Sequence, residues 1–372
     1  MISIKSPIRG GYPLNRVRQF IDNFFRKASD NDFQGISRAL NFIFIVVFSL
    51  VTGLIFYFFW PKETNISKLN HSASSNFSVE PIQPIPMELE LNLTKVELGR
   101  KLFHDPLLSK DNTIACSGCH DLAKGGVDGL PKSIGIDKQE GEINAPTVFN
   151  SGFNFRQFWD GRAETLEDQI AGPISNSKEM NNNWEDVIQK IKKKTEYNQQ
   201  FLMIYPNGVT AENIKNAIAE FERSLYTPNS RFDQYLRGDA NAINEEEKNG
   251  YKLFKENGCI ACHQGVNVGG NMYQTFGVYG NYFEERGSLT NADNGLFNIT
   301  GQEQDRYKFK VPSLRNVALT APYFHDGSVD SLEKAIVIMG KFQLGRTLED
   351  LEVKQISAFL KTLTGEYKGK SL

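Results

Sequence analysis

Cysteine and histidine are scarce in this chain, with four and five copies among 372 residues. Every cysteine falls inside one of two short motifs, so none is left over for a structural disulfide. Charge of one sign is not in excess either. The net charge is −2, which argues against a nucleic-acid binder, since such proteins normally carry a strong basic surplus. Composition shows neither collagen-like nor disordered bias. Period-two alternation is rare, so strand signals are weak and the expected class is mainly α. The length suffices for two domains of ordinary size.

The motifs are Cys116-Ser-Gly-Cys119-His120 and Cys259-Ile-Ala-Cys262-His263. C-x-x-C-H reads as a c-type haem attachment site: two thioether bonds fix the porphyrin and the adjacent histidine gives a nitrogen to iron. A bare C-x-x-C also suits a thioredoxin-like redox pair or half of a zinc site. A redox pair needs no following histidine and usually occurs once. A four-cysteine zinc site would leave His120 and His263 unexplained. Two haem c groups are the expected cofactors.

From Ala39 to Pro61 there is no charge, and Phe42 to Trp60 is dominated by Phe, Ile, Val and Leu. Some 20 apolar residues at about 1.5 Å rise span a hydrocarbon core of about 30 Å. A cleaved signal peptide would have a shorter apolar region, about 7–15 residues, followed by a small-residue cleavage site. A retained anchor over 39–61 is therefore expected. Lys5, Arg9, Arg16, Arg18, Arg26, Lys27 and Arg38 precede it, against Lys62 and Glu63 just after. The positive-inside rule then puts residues 1–38 in the cytoplasm and the rest in the periplasm, on a single-pass bacterial inner-membrane protein.

Residues 62–92, rich in Asn, Ser and Pro, suit a solvated tether. Beyond it the chain repeats itself. Gly99-Arg-Lys-Leu-Phe103 precedes the first motif and Gly250-Tyr-Lys-Leu-Phe254 the second, and each motif is followed by Gly-Gly. Thr94 with Glu97, and Asn244 with the glutamates after it, are the expected helix starts. Two cytochrome c-like helical domains follow, 93–240 and 241–372, joined near 235–245. Further helices are expected at 163–171, 184–194, 210–225, 331–340 and 349–363. The second haem needs a sixth ligand that keeps substrate out, and methionine also raises the potential. Met272 and Met339 are the candidates after the second motif.

Six segments, in order, carry a resemblance to the bacterial di-haem cytochrome c peroxidases across roughly 93–368. They are Leu98-Gly-Arg-Lys-Leu-Phe-His-Asp-Pro106, Asn144-Ala-Pro-Thr-Val-Phe-Asn150 and Phe158-Trp-Asp-Gly-Arg-Ala163, then Val311-Pro-Ser-Leu-Arg-Asn316, Ala321-Pro-Tyr-Phe-His-Asp-Gly327 and Met339-Gly-Lys-Phe-Gln-Leu-Gly345.

The resemblance implies reduction of hydrogen peroxide at the haem on Cys116 and Cys119, with His120 proximal. Electrons would enter at the haem on Cys259 and Cys262, held by His263 and Met339. The donor would be a small cytochrome c, a cupredoxin or a quinol. Glu179 matches the family's distal acid, Gln169 its distal amide, and Trp159 the tryptophan between the haems. His325 is expected close to the second haem without ligating it. A calcium ion would be held by the Asn144 side chain and the Thr320 and Pro322 carbonyls; a homodimer is left open. From the residues alone, Glu179 would pass for a solvated surface group and Trp159 for a packing residue.

One departure stands out. Many family members block the first iron with a loop histidine when fully oxidised, and Ile136 stands at that place. No histidine lies between His120 and His263. The first haem is therefore expected to be open without prior reduction. Two rival readings remain: a related di-haem enzyme that oxidises a protein substrate, which has Tyr where Met339 stands, and a tethered electron carrier, with Met180 or Met203 closing the first iron.

Overall fold

Asn244 accepts a hydrogen bond from the Glu247 amide while Glu247 reaches back to the Asn244 amide, so the capping box expected there starts a helix. The matching helix of the first half is capped by Asn92, two residues ahead of the expected Thr94; Thr94 instead donates its hydroxyl to the Asn92 side chain. The computed structural model describes residues 80–372, so the expectations for 1–38, for the anchor at 39–61 and for the tether up to 79 lie outside the described residues. Among the described residues no helix is long and apolar enough to cross a membrane.

Eight helices of seven or more residues are described: α1 Leu93–His104, α2 Leu166–Ser175, α3 Trp184–Lys193, α4 Thr195–Ile204, α5 Ala211–Arg223, α6 Glu245–Glu256, α7 Leu332–Ile338 and α8 Asp350–Lys361. Among the described residues strands are confined to two antiparallel pairs, β1 Tyr273–Thr275 with β2 Lys308–Lys310, and β3 Glu366–Tyr367 with β4 Lys370–Ser371. The class is mainly α, as composition suggests. α2 begins later than expected because Thr165 is its N-cap, and it continues past Pro173. α7 stops at Ile338 and passes into one π-helical turn, Met339–Gln343. α4 was not foreseen; its apolar spacing is irregular.

Two helix crossings build the halves. α1 lies on α5 and α6 lies on α8, each at a glycine. A Cβ on Gly99 would sit 1.9 Å from the Ala217 carbonyl oxygen, and one on Gly250 1.9 Å from that of Gln355. Only glycine permits so close an approach. Around the first crossing Phe103, Phe221, Leu102 and Ile218 are fully buried; around the second, Phe232, Tyr251, Phe254 and Phe359 meet edge-on or tilted. Each such side chain contributes roughly 1.5–3 kcal/mol by leaving water.

Two boundaries differ from expectation. Ile82 and Ile85 are buried, and Gly265 donates to the Pro81 carbonyl at 2.8 Å, so the tether ends by residue 80 and 80–86 lie on the second half. Its prolines mask two isoleucines that seek a core. The seam between halves also falls earlier than 240, because Phe232 belongs to the second core. Tyr367 and Leu372 return to the first core, where Tyr367 meets Phe149 edge-on.

Candidate haem sites

Cys116–Cys119 form a single helical turn, with the His120 amide on the Cys116 carbonyl at 2.9 Å. Cys259–Ala261 form a 3-10 turn, and the His263 amide reaches the Cys259 carbonyl at 3.0 Å. The turns hold both sulfurs and the histidine of each motif on one short stretch. Burial pushes the Cys116 thiol up to about 12 and the Cys259 thiol up to about 11. Redox-active thiols are tuned the other way, so these surroundings suit thioether attachment rather than a thioredoxin-like pair.

Both histidines are held neutral. Burial lowers the pKa of His120 and drives that of His263 down to about 4. His120 Nδ1 lies 3.3 Å from the Gly126 carbonyl oxygen and His263 Nδ1 lies 3.3 Å from that of Val268. A carbonyl on Nδ1 selects the tautomer whose Nε2 lone pair is available to iron. The glycine pairs after the motifs serve this approach. A Cβ on Gly126 would fall 2.7 Å from Thr147 Oγ1, and one on Gly269 2.2 Å from the Pro312 carbonyl oxygen.

A cavity of about 570 Å³ opens in the second half, with Cys259, Cys262, His263 and Met339 on its wall. That volume lies in the range of cofactor sites, about 300–1,000 Å³. Met272 is not on the wall; its carbonyl accepts from Val311 at 2.9 Å. Trp159, His325, Asn144, Thr320 and Pro322 border the same cavity.

The first half is brought into register by a repeat that the sequence reading missed. Asn150 and Asn316 both have left-handed backbone, as do Phe158 and Phe324, and Gly161 and Gly327. The bridges Gln157↔Ala163 and Tyr323↔Val329 correspond, and so do the N-caps Thr165 and Ser331. Phe-Trp-Asp-Gly against Phe-His-Asp-Gly is the signal that would have revealed it. At this spacing Trp159 corresponds to His325, Gln169 to Ala335 and Pro173 to Met339. A residue with no donor atom thus stands in the first half where Met339 stands in the second.

Glu179 is half-buried, and burial raises its pKa against a 2.6 Å hydrogen bond from Asn176 and the charge of Arg162. Its charge reaches the Cys119 sulfur, which puts it beside the first attachment turn. Ile136 is buried next to it, its amide on the Glu179 carbonyl at 2.8 Å. Gln169 is half-buried on α2, one turn before Pro173. Met180 is packed in the first core and Met203 is exposed, so neither is presented as a ligand by this fold.

Trp159 Nε1 donates to the Asn144 carbonyl at 3.0 Å, and the indole meets the His325 ring edge-on with centroids 6.3 Å apart. His325 is buried, and its Nε2 lies 2.7 Å from Asp293 Oδ1. Burial alone would raise the pKa of Asp293. Hydrogen bonds from His325 and Arg286 overcome this and hold its carboxyl well below the usual range. Arg286 also pairs with Asp326, so the cluster Asp293, His325 and Asp326 already contains a cation. The Asn144 amide nitrogen donates to the Leu130 and Pro131 carbonyls at 2.9 and 3.3 Å, leaving its oxygen as the atom a metal ion would take. His104 is exposed, with only edge contacts to Phe103 and Phe221.

The sequence pattern described as di-haem cytochrome c peroxidase matches residues 93–241. The chain is 50% identical over 289 residues to the Escherichia coli K12 protein named cytochrome c peroxidase Ccp, which spans 77% of this chain and 62% of that one. It is 48% identical over 288 residues to the cytochrome c551 peroxidase of Nitrosomonas europaea, covering 77% of this chain and 85% of that one. Among solved structures, a MauG-like protein associated with microbial copper homeostasis superposes with a TM-score of 0.67. It is 30% identical and covers 80% of this chain and 96% of its own.

Proposed function

The chain belongs to the di-haem cytochrome c peroxidase family, and on that premise we propose that it reduces hydrogen peroxide to water at the haem on Cys116 and Cys119, fed with electrons from the haem on Cys259 and Cys262. The observation that carries this assignment of roles is the inequality of Pro173 and Met339 at matching places. One methionine thioether stands on the wall of the second cavity with His263, where it would close the iron to substrate. Proline supplies no such atom to the first.

Haem c supplies the iron that cleaves the O–O bond and carries the electrons. The rest falls to the chain. His120 and His263 would hold the irons. Glu179 would take a proton from one oxygen of peroxide and pass it to the leaving oxygen, a task for which a carboxyl with a raised pKa is suited. Gln169, on the neighbouring helix, orients the peroxide. Trp159, against the second cavity, carries electrons between the haems. His325, tied to Asp293, fixes the backbone that receives the Asn144 amide at 2.8 Å. Asn144 with the Thr320 and Pro322 carbonyls would hold a calcium ion, the remaining oxygens coming from water.

The charge-free run at 39–61 supports an inner-membrane anchor with both haem domains in the periplasm, near a cytochrome c, cupredoxin or quinol donor; self-association into a dimer fits the same reading. The test is steady-state turnover. All-ferric, haem-loaded protein is mixed with peroxide and a reduced small cytochrome c, without pre-reduction. Prompt donor oxidation is expected. No turnover, even after half-reduction and with calcium added, would overturn the peroxidase reading in favour of a protein-oxidising enzyme or a carrier.

A further inference from the structure

The two helix crossings can be matched residue by residue. A Cβ on Gly99 would lie 2.8 Å from Phe221 Cβ, and one on Gly250 2.9 Å from Phe359 Cβ. Phe221 therefore corresponds to Phe359, and the next residue of α5, Glu222, to Leu360 of α8. Leu360 lines the cavity that contains Cys259, Cys262 and His263. Beside the first attachment turn, then, a carboxyl holds the place that a leucine holds beside the second. Packing does not call for it.

Glu222 is 7% exposed, and its Oε2 has no hydrogen-bond partner. Its charge acts on the sulfur of Cys116. A buried carboxylate without partners is costly, so the group favours its protonated form. Burial pushes its pKa up to about 8, with the positive charge of Arg223 opposing and the negative charge of Glu167 adding to the shift. Arg223 is not free to neutralise it, being gripped by both Glu167 oxygens at 2.9 and 2.8 Å.

The other elements packed on α5 offer no substitute. On α1, Lys95 is bound to Asn216, Glu97 to Arg100 and Lys101 to Glu196, while His104 is exposed. On α2, Asp168 is engaged with Thr165. The turn Ser151–Phe153 contains no ionisable group. The charge that would change during a reaction is that of the haem held at Cys116 and Cys119.

We propose that Glu222 is a redox-linked proton site of the first haem. As the iron beside it passes from ferric to ferrous with an electron from the second haem, the Glu222 carboxylate takes one proton from solvent and becomes a carboxylic acid. When that electron leaves, the O–H bond breaks and the proton returns to water. The buried region keeps the same net charge throughout, which is what a low-dielectric site favours. The inference rests on the di-haem reading above and adds a proton site to it.

The experiment is a spectroelectrochemical titration of the haem-loaded protein at several pH values, following each haem separately. The midpoint potential of the first haem is expected to fall through the neutral and mildly alkaline range. Its limiting slope is about 59 mV per tenfold change in proton concentration for a one-electron couple. The second haem, with Leu360, should be flat over that range. Glu222→Gln should remove the slope, and Glu222→Leu, which copies the second half, should do the same. A first-haem slope unchanged in either variant overturns the proposal. Infrared difference spectra of the unmodified protein give an independent reading. A carboxylic-acid carbonyl band that shifts in heavy water should grow on reduction of the first haem, and its absence also overturns the proposal. Mass measurement separates the premises, since a protein with a single haem would instead defeat the di-haem reading.

Discussion

The amide of Ile136 donates to the carbonyl oxygen of Glu179 at 2.8 Å, which pins the loop where other family members would carry a blocking histidine against the residue assigned as distal acid. Gly135 tightens the contact, since a Cβ there would fall 2.1 Å from the Lys178 carbonyl oxygen. With an apolar, buried side chain at 136 and no histidine in the loop, there is no imidazole to offer the first iron. The all-ferric protein should therefore show one high-spin and one low-spin haem by electron paramagnetic resonance. Pre-reduction should change the initial turnover rate by less than about twofold, well under 1 kcal/mol in barrier. Two low-spin ferric haems would contradict this.

Glu179 should carry the pH dependence of peroxide cleavage. Its first act is to accept a proton, so the ionised form is the active one. Because burial raises its pKa, activity should be lost on acidification at a higher pH than an ordinary carboxylate would give. Glu179→Gln should lower kcat by about 10²–10⁴-fold and abolish that acid limb while leaving both haems attached. A Glu179→Gln enzyme with a normal acid limb would assign the proton elsewhere.

Met339 follows α7 as the first residue of the π turn, where the Leu344 amide returns to its carbonyl at 3.1 Å. Replacing its thioether by imidazole should lower the potential of the second haem. In Met339→His the donor should then reduce that haem poorly, and steady-state turnover should drop while the reaction of pre-reduced protein with peroxide persists. An unchanged potential would show that Met339 is not the ligand.

The two attachment motifs were legible because covalent attachment demands a fixed local spacing, and C-x-x-C-H contains all of it. The two repeated helices were legible for a related reason: a glycine four residues before a phenylalanine is a local pattern, whereas their crossings on α5 and α8 were not. Pro173 was passed over, because its significance lies only in standing where Met339 stands, and the short Phe-Trp-Asp-Gly/Phe-His-Asp-Gly likeness is a faint cue beside the matched backbone of 150–175 and 316–341. Glu222 was hidden more deeply. On α5 it reads as one of the polar positions between Ile218, Phe221 and Leu225, and only burial with an unpartnered oxygen distinguishes it from Glu220. The proline-rich segment at 80–86 misled for the opposite reason, since composition averages over a stretch in which Ile82 and Ile85 alone decide the outcome.

That segment is tied to the second core by Arg315, among other contacts. Arg315 is fully buried, paired with Asp233 at 2.7 Å; its Nε reaches the Val266 carbonyl at 3.0 Å and Nη2 the Gln83 carbonyl at 2.9 Å. Removing one partner of a buried pair leaves a charge without compensation and costs about 3–5 kcal/mol. Asp233→Ala should therefore destabilise the haem-loaded protein by that amount in denaturant titrations. Limited proteolysis should cut first within 80–86, because the guanidinium that holds the Gln83 carbonyl is no longer oriented. Haem attachment depends on the two local turns and should survive. Wild-type stability in Asp233→Ala would mean that the Val266 and Gln83 carbonyls alone satisfy Arg315, and that the pair sets position rather than stability.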